Sequence, residues 1–436
     1  MPSSPRLNII TLGCSKNTVD SEKLLSQFSA EGYNVVYDDY SYDADIVIIN
    51  TCGFINDAKE ESINAILQYV EARKRGEIDK LYVIGCLSER YKDYLRDEIP
   101  EVDNYFGVNL PQEIVRGLGK DYHSELINER ILSGPSHYAY LKISEGCNRT
   151  CAFCAIPMIR GRYKSRPVGD LIDEARKLAG KGVKELILIA QDLSYYGIDL
   201  YGEQRLTELV LNLSEIEELK WIRLHYLYPA NFPLDIISLM INNTKVCRYI
   251  DLPVQHISDK VLSIMKRSHK GKETRDLLYK IKAMLPDAAI RTTLIAGHPG
   301  ETESDFNELK DFISEYRFDR LGVFTYSHEE DTYGASNYED SVPENVKLER
   351  MEKLMEIQQE INNSNNRKLV GKELEVIIDR EEGLYLYGRT EYDSPEVDQE
   401  IMIPKNNSKL KAGDFTFVKI TSAADFDLVG ELRAKG

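Results

Sequence analysis

Cys147, Cys151 and Cys154 fall within eight residues, spaced C-x3-C-x2-C. Four thiolates would close a tetrahedral zinc site or occupy every iron of a 4Fe–4S cube. Three thiolates leave one iron of such a cube free to take a small chelating molecule, which is a reactive arrangement. Three buried cysteines, or a zinc knuckle completed from elsewhere in the chain, are the other readings of these residues. Core cysteines have no reason to cluster this tightly, and no C-x2-C partner pair follows.

The spacing, with Phe153 directly before the third cysteine, resembles that of the radical S-adenosylmethionine (SAM) superfamily. The resemblance implies that the amino and carboxylate groups of SAM chelate the open iron. It implies that one electron then cleaves SAM into methionine and a 5′-deoxyadenosyl radical, which removes hydrogen from an unactivated carbon.

The motif must sit on a rigid frame, and the surrounding sequence predicts one. From Tyr138, strand and helix patterns alternate. Strands are expected at 138–143, 185–190, 221–227, 249–254, 289–296 and 321–326. Helices are expected at 170–180, with Asp170 as N-cap, and at 259–267, 273–284 and 303–316, the last opened by a capping box at Thr302–Asp305. Six such strands suggest an incomplete parallel (β/α)6 barrel. The cysteine loop follows its first strand, at the carboxyl-end face where barrel active sites lie. A further helix is expected at 344–366.

A second cysteine set lies upstream. Three apolar runs, 7–14, 45–52 and 80–86, each end in a cysteine: Cys14, Cys52 and Cys86. Near-continuous apolar runs suit parallel strands buried on both faces. Helical patterns separate them, one marked by Leu24, Leu25 and Phe28, another by Ile63, Ile66, Leu67 and Val70. The alternation predicts a doubly wound parallel sheet, in which ligands bind beyond the carboxyl ends of the strands. The fold would gather all three cysteines at that edge. Chance burial of cysteine at strand ends is the competing account. A glycine beside each one favours close approach of backbone to a bulky ligand.

After Gly371 the pattern shortens to five strands, at 374–378, 384–387, 400–403, 415–420 and 427–432, which fit a small antiparallel β-barrel. The expected division is therefore an α/β multidomain chain with units at 1–122, 134–365 and 366–436. No apolar run approaches the roughly 20 residues of a membrane span. Met1 to Asn8 lacks the basic and apolar regions of a signal peptide. A cytoplasmic protein is expected, since an oxygen-sensitive cluster needs a reducing compartment. The 436 residues carry a net charge of −17, which argues against wrapping a nucleic-acid backbone.

This organisation resembles the methylthiotransferases, and the likeness covers nearly the whole chain. It implies an auxiliary 4Fe–4S cluster on Cys14, Cys52 and Cys86, and a SAM-cleaving 4Fe–4S cluster on Cys147, Cys151 and Cys154. It implies that the C-terminal barrel is a TRAM-like domain that helps hold the substrate. Leu12–Asn17 with Asp20–Glu22, Asn50–Ile55 with Ala58–Ser62, and Pro395–Asp398 resemble the branch that modifies a protein. That branch adds a methylthio group to the β-carbon of an aspartate in ribosomal protein S-twelve. Other branches modify adenosines in transfer RNA, and that is the alternative. Gln399 departs from the glycine usual after Pro395–Asp398. Residues 367–436 hold 11 basic and 14 acidic side chains. That balance favours a basic protein partner over transfer RNA, with the run Glu391, Asp393, Glu396, Asp398 and Glu400 as the expected contact. The reaction also needs a sulfur donor and an electron donor, which no motif here supplies.

Five further residues are candidates for the cofactor. Gln191 and Asp192 end the second core strand, where the polar groups of SAM would lie. Gly297 and Pro299 belong to a strand–helix loop, Gly297–Glu301, that resembles the one meeting SAM in radical-SAM proteins; an ordinary turn explains it equally well. Arg223 is placed to face the cofactor carboxylate or to form an internal ion pair. Gln255 and His256 are weighed as pocket lining, with a structural role for the histidine preferred. Cys247 fits neither triad and is read as a core residue.

Overall fold

The computed structural model describes residues 4–424 and 426–433. Asp425 and Lys435, counted in the charge of the C-terminal barrel, and Met1–Ser3 of the stretch read for a signal peptide lie outside them. No described helix is long and apolar enough to cross a membrane.

The N-terminal unit is a five-stranded, all-parallel sheet in the order β2-β1-β3-β4-β5. Its strands are β1 (Arg6–Thr11), β2 (Asn34–Tyr37), β3 (Ile46–Thr51), β4 (Lys80–Gly85) and β5 (Asn104–Tyr105). β1, β3 and β4 are the apolar runs read from sequence. β2 and β5 were not legible there, being short edge strands with mixed polarity. Helices α1 (Ser15–Ala30), α2 (Asn56–Lys74) and α3 (Cys86–Glu98) cover the sheet. Leu67 departs from the expected apolar stripe of α2: it is 44% exposed, while Ile66 and Val70 are buried.

The central unit is a six-stranded parallel sheet, β6 (Tyr138–Lys142), β9 (Glu185–Ile189), β10 (Trp221–Leu224), β11 (Val246–Asp251), β12 (Ala289–Ala296) and β13 (Arg320–Thr325), in sequential order and open between β13 and β6. A two-residue hairpin, β7 (Ser144–Glu145) with β8 (Lys164–Ser165), closes the base of the cysteine loop. β10 ends earlier than expected because Tyr226 adopts a left-handed backbone, φ 63°. The capping box forms as read: the Thr302 hydroxyl accepts from the Asp305 N–H, and the Asp305 carboxylate accepts from the Thr302 N–H. Asp170 does not cap its helix. The helix begins at Val168 behind Pro167, whose fixed φ suits the entry, leaving Asp170 inside the first turn.

The C-terminal strands β14 (Glu373–Glu382), β15 (Tyr385–Arg389), β16 (Ile401–Pro404), β17 (Phe415–Ala423) and β18 (Leu428–Leu432) form a closed barrel. It is not wholly antiparallel, since β16 and β18 pair in parallel. Strand directions cannot alternate all the way round an odd-numbered ring, so five strands close only with a parallel pair.

Residues 390–398, between β15 and β16, leave the small barrel and cross the inner face of the central sheet. The Glu391 carbonyl accepts from Arg223 Nη1 at 2.7 Å. Asp393 takes Arg320 Nε at 3.1 Å. Ser394 Oγ meets His225 Nε2 at 2.9 Å. Glu396 accepts from the Tyr138 hydroxyl at 2.9 Å. Asp398 accepts from the Tyr249 hydroxyl at 2.7 Å and lies 3.6 Å from Arg291 Nε. Of the acidic run expected to greet a basic partner, Asp393 and Asp398 are thus internal, while Glu396 is exposed and Glu391 and Glu400 are partly so. The cations that meet these two, Arg320 and Arg291, stand on strands far away in sequence, so local charge counting could not see them.

Candidate functional site

At the carboxyl edge of the N-terminal sheet, Cys14, Cys52 and Cys86 converge. Gly13 has φ +92°, and a Cβ there would sit 2.9 Å from Cys52 Sγ. A Cβ on Gly53 would lie 2.6 Å from Leu87 Cα, so the turn after Cys52 rests on the chain after Cys86. Asn17, at the start of α1, donates to the carbonyls of Leu12 and Thr51 and fixes the first two loops together. Arg160 Nη2 reaches in from the central unit to Cys86 Sγ at 3.5 Å and Asn17 Oδ1 at 2.6 Å. Its Nη1 is held by Glu145 at 3.0 Å. Burial pushes the Cys86 thiol up to about 11 and raises Cys52. Burial acts on Cys14 too, but the charges of Lys16 and Arg160 and the N–H groups of Asn17 and Lys16 outweigh it and hold that thiol low.

The second triad lies on the loop after β6 and β7. The Cys147 N–H donates to the Gly161 carbonyl at 3.1 Å, and the Ala152 N–H to the Met265 carbonyl at 2.9 Å, tying the loop to the barrel rim. Arg267 Nη1 lies 3.5 Å from Cys151 Sγ. Burial raises Cys147 to about 11, with Asp192 and Cys151 adding to the shift, and pushes Cys154 higher still. Thiols this reluctant to ionise become thiolates when a metal displaces their protons. All six cysteines are free. Among the described residues, no three His, Cys, Asp or Glu side chains converge where a single metal ion would be held.

Polar atoms without partners gather beside Cys147. Both side-chain amide atoms of Gln191 are buried and unbonded, as is Asp192 Oδ1. Asp192 Oδ2 accepts from Arg149 Nε at 2.8 Å, which orients the carboxylate. Gln255 Oε1, after β11, is likewise unbonded. Burying such groups unpaired costs about 1–3 kcal/mol each, so this cradle fits a polar ligand. Gln255 and Phe153 wall one side of a cavity of about 570 Å³, with Phe54 and Asp57 of the N-terminal unit on the other. Above it, Glu329 clamps the two units, accepting from Lys59 Nζ at 2.9 Å and Arg90 Nη1 at 3.0 Å.

Arg223 takes the second of its two expected roles. It is buried, with Nε donating to Glu185 at 2.7 Å, and faces the C-terminal loop instead of the cysteines. The N–H of Gly297 donates to the Glu301 carboxylate at 2.9 Å, and the Pro299 carbonyl lies 3.0 Å from His298 Nδ1. In that loop it is His298 that meets the cysteine motif, its ring edge-on to Phe153 at 6.4 Å. His298 Nε2 is buried and unbonded. His256 is fully buried, its Nδ1 accepting from the Ser258 N–H. Cys247 packs in the core with Trp221 and Tyr249. Sequence reasoning missed Arg160, Arg267 and Lys16. Only Lys16 carried a signal, since it stands inside the motif that bears Cys14.

Residues 6–107 match the model of uncharacterized protein family UPF0004, residues 141–313 that of the radical SAM superfamily, and residues 370–432 that of the TRAM domain. The superfamily match implies SAM and a 4Fe–4S cluster as cofactors. Curated proteins named ribosomal protein uS12 methylthiotransferase RimO are similar along the whole chain. The one from Christiangramia forsetii is 53% identical over 426 residues, covering 98% of this chain and 94% of its own. The one from Cytophaga hutchinsonii is 51% identical over 427 residues, covering 98% of each. Among solved structures, the radical S-adenosylmethionine methyltransferase TsrM from Kitasatospora setae is alike in fold. Its TM-score is 0.54 at 14% identity, covering 74% of this chain and 75% of that one. With three domain models in this order and relatives more than half identical from end to end, the chain belongs to the RimO family of radical-SAM methylthiotransferases.

Proposed function

We propose that this protein adds a methylthio group to the β-carbon of an aspartate in ribosomal protein uS12, the S-twelve protein of the small subunit. The observation that carries the reading is the pair of three-cysteine sites, linked by Arg160, which follows the second triad in the chain and reaches Cys86 of the first. In this reading the chain divides at 1–122, 134–365 and 366–436, works in the cytoplasm, and binds two 4Fe–4S clusters. Cys14, Cys52 and Cys86 hold the auxiliary cluster; Cys147, Cys151 and Cys154 hold the SAM-cleaving one. When bound, these groups supply one-electron cleavage of SAM and a sulfur able to accept its methyl group.

The side chains bind, orient and exclude water. Gln191 and Asp192 offer their unpaired atoms to the polar end of SAM, with Arg149 holding Asp192 in place. Gly297 and Pro299 shape the loop that presents His298 to Phe153. Arg160 supplies positive charge beside Cys86, and Arg267 beside Cys151, each offsetting the charge of a thiolate-bound cluster. The Glu329 clamp holds the two units together at the cavity and would limit entry of bulk water there.

The test is product and coproduct analysis with purified uS12 under anaerobic reducing conditions. Each methylthiolated aspartate should accompany one S-adenosylhomocysteine and one 5′-deoxyadenosine. Methylthiolation of transfer RNA with none on uS12 would overturn the reading.

A further inference from the structure

Eight lysines and arginines are buried among the described residues: Lys16, Arg130, Lys142, Arg160, Arg223, Lys347, Arg350 and Arg389. Seven of them have a carboxylate partner. Arg130 pairs with Glu174, Lys142 and Arg160 with Glu145, Arg223 with Glu185, Lys347 with Asp340, Arg350 with Glu301 and Arg389 with Asp379. Lys16 is the exception. It is only 7% exposed and has no carboxylate within ion-pairing distance among the described residues. Its ammonium lies 3.4 Å from the centroid of the Tyr226 ring, a contact that desolvated sites favour but that leaves N–H donors free.

The platform beneath Lys16 is rigid. Tyr226 keeps its left-handed backbone because its N–H is bonded to the Asp251 carboxylate at 2.8 Å. His225, the residue before it, is bonded to Ser394 of the crossing loop. On the other side, Val19 of the same helix packs with Tyr138, Ile187 and Ile189 on the inner face of the barrel. Lys16 is thus held two residues from Cys14, where the N-terminal unit meets the barrel. Its stem is buried while its ammonium, which no carboxylate pairs, stays fixed on the ring and able to meet an anionic ligand.

We infer that Lys16 is the substrate-specificity residue of this site, gripping the side-chain carboxylate of the aspartate that is modified. A single ammonium on an aromatic face matches one carboxylate better than a run of phosphates. The chemistry fits the position as well. In aspartate the carboxylate carbon is bonded directly to the β-carbon, so a grip on the carboxylate holds the reacting carbon one bond away. That grip is made beside the triad from which the sulfur would come. The inference rests on the uS12 reading and names how that site tells aspartate from its neutral analogues.

The experiment is equilibrium binding of uS12, and of uS12 carrying Asn in place of the modified aspartate, to the reconstituted enzyme under anaerobic conditions without SAM. Wild-type enzyme should prefer the Asp form by about tenfold or more, the scale of a charge-assisted hydrogen bond. In Lys16→Met the preference should collapse towards one, and in Lys16→Arg, which keeps the charge, it should persist. Equal binding of the two forms by wild-type enzyme would overturn the inference without recourse to any variant. A Lys16→Met enzyme that keeps the wild-type preference would also overturn it, leaving Lys16 as a counter-charge to the auxiliary cluster. If wild-type enzyme binds neither form, the uS12 reading fails and the inference falls with it.

Discussion

Glu185→Gln removes a charge from the most enclosed ionic network of the protein. The carboxylate is fully buried and holds two guanidiniums: Arg223 on β10, at 2.7 Å, and Arg389 at the end of β15. Arg389 continues to Asp379 at 3.0 Å, and Asp379 to His137 at 2.8 Å. Burial penalises the Glu185 charge, yet the two arginines hold its carboxyl below the usual range, so it is ionised at neutral pH. Glutamine has the same shape and can still offer one oxygen to one arginine. Its NH2 group then meets the other arginine donor to donor. The loss is one charge-assisted hydrogen bond plus a buried cation left short of an anion, together about 3–5 kcal/mol. Thermal unfolding of the metal-free protein, followed by circular dichroism, should show a fall of about 5 °C. Limited proteolysis should release the C-terminal barrel first, since the network joins it to the central unit. The triple variant Glu185→Leu, Arg223→Met, Arg389→Met should recover most of the loss, because apolar replacement of a buried network is often neutral. A fall under about 1 kcal/mol in Glu185→Gln would refute the view that this network welds the two barrels.

Reconstituted protein should hold about eight irons per chain, and Cys52→Ala and Cys151→Ala about four each. SAM cleavage should survive in Cys52→Ala and vanish in Cys151→Ala; undiminished iron in Cys52→Ala would remove the auxiliary site. Burial holds His256 and His269 at about 3 and His298 at about 4, below the roughly 6.5 of an unfolded chain. Between about pH 6.5 and 4 the unfolded state takes up protons that these three refuse when folded. Stability should therefore fall on acidification by about 1.4 kcal/mol per pH unit for each. Urea midpoints at pH 7 and 5 should differ less in His298→Gln, and an unaltered difference would refute the assignment. Glu329→Gln leaves Lys59 and Arg90 facing one neutral group; amide exchange at the start of α2 should quicken about tenfold, and unaltered exchange would dissolve the clamp.

The sequence exposed what is local and periodic. β1, β3 and β4 showed as apolar runs because they are buried on both faces, and each run carried its cysteine to the edge where the triad forms. The Thr302 box was legible because both partners lie within four residues. Everything settled by distant contacts was not. Arg160 lies 74 residues from the cysteine it touches. Arg223 offered a choice of roles that only its burial against Glu185 decided. Asp393 and Asp398 read as a free acidic surface until the barrel supplied Arg320 and Arg291 to meet them.

The crossing of residues 390–398 has a consequence in time. A chain emerges from the ribosome N-terminus first, and domains generally fold in that order. All six strands of the central sheet emerge before the segment that lines its inner face. Until then Glu185 and Asp251 of the sheet already hold Arg223 and Arg291, but Arg320 faces an open lumen without Asp393 to receive it. The nascent protein is therefore an open cup awaiting its stopper. A message truncated after β13 yields a product that keeps every cysteine yet cannot finish folding, and protein quality control will meet it as a client.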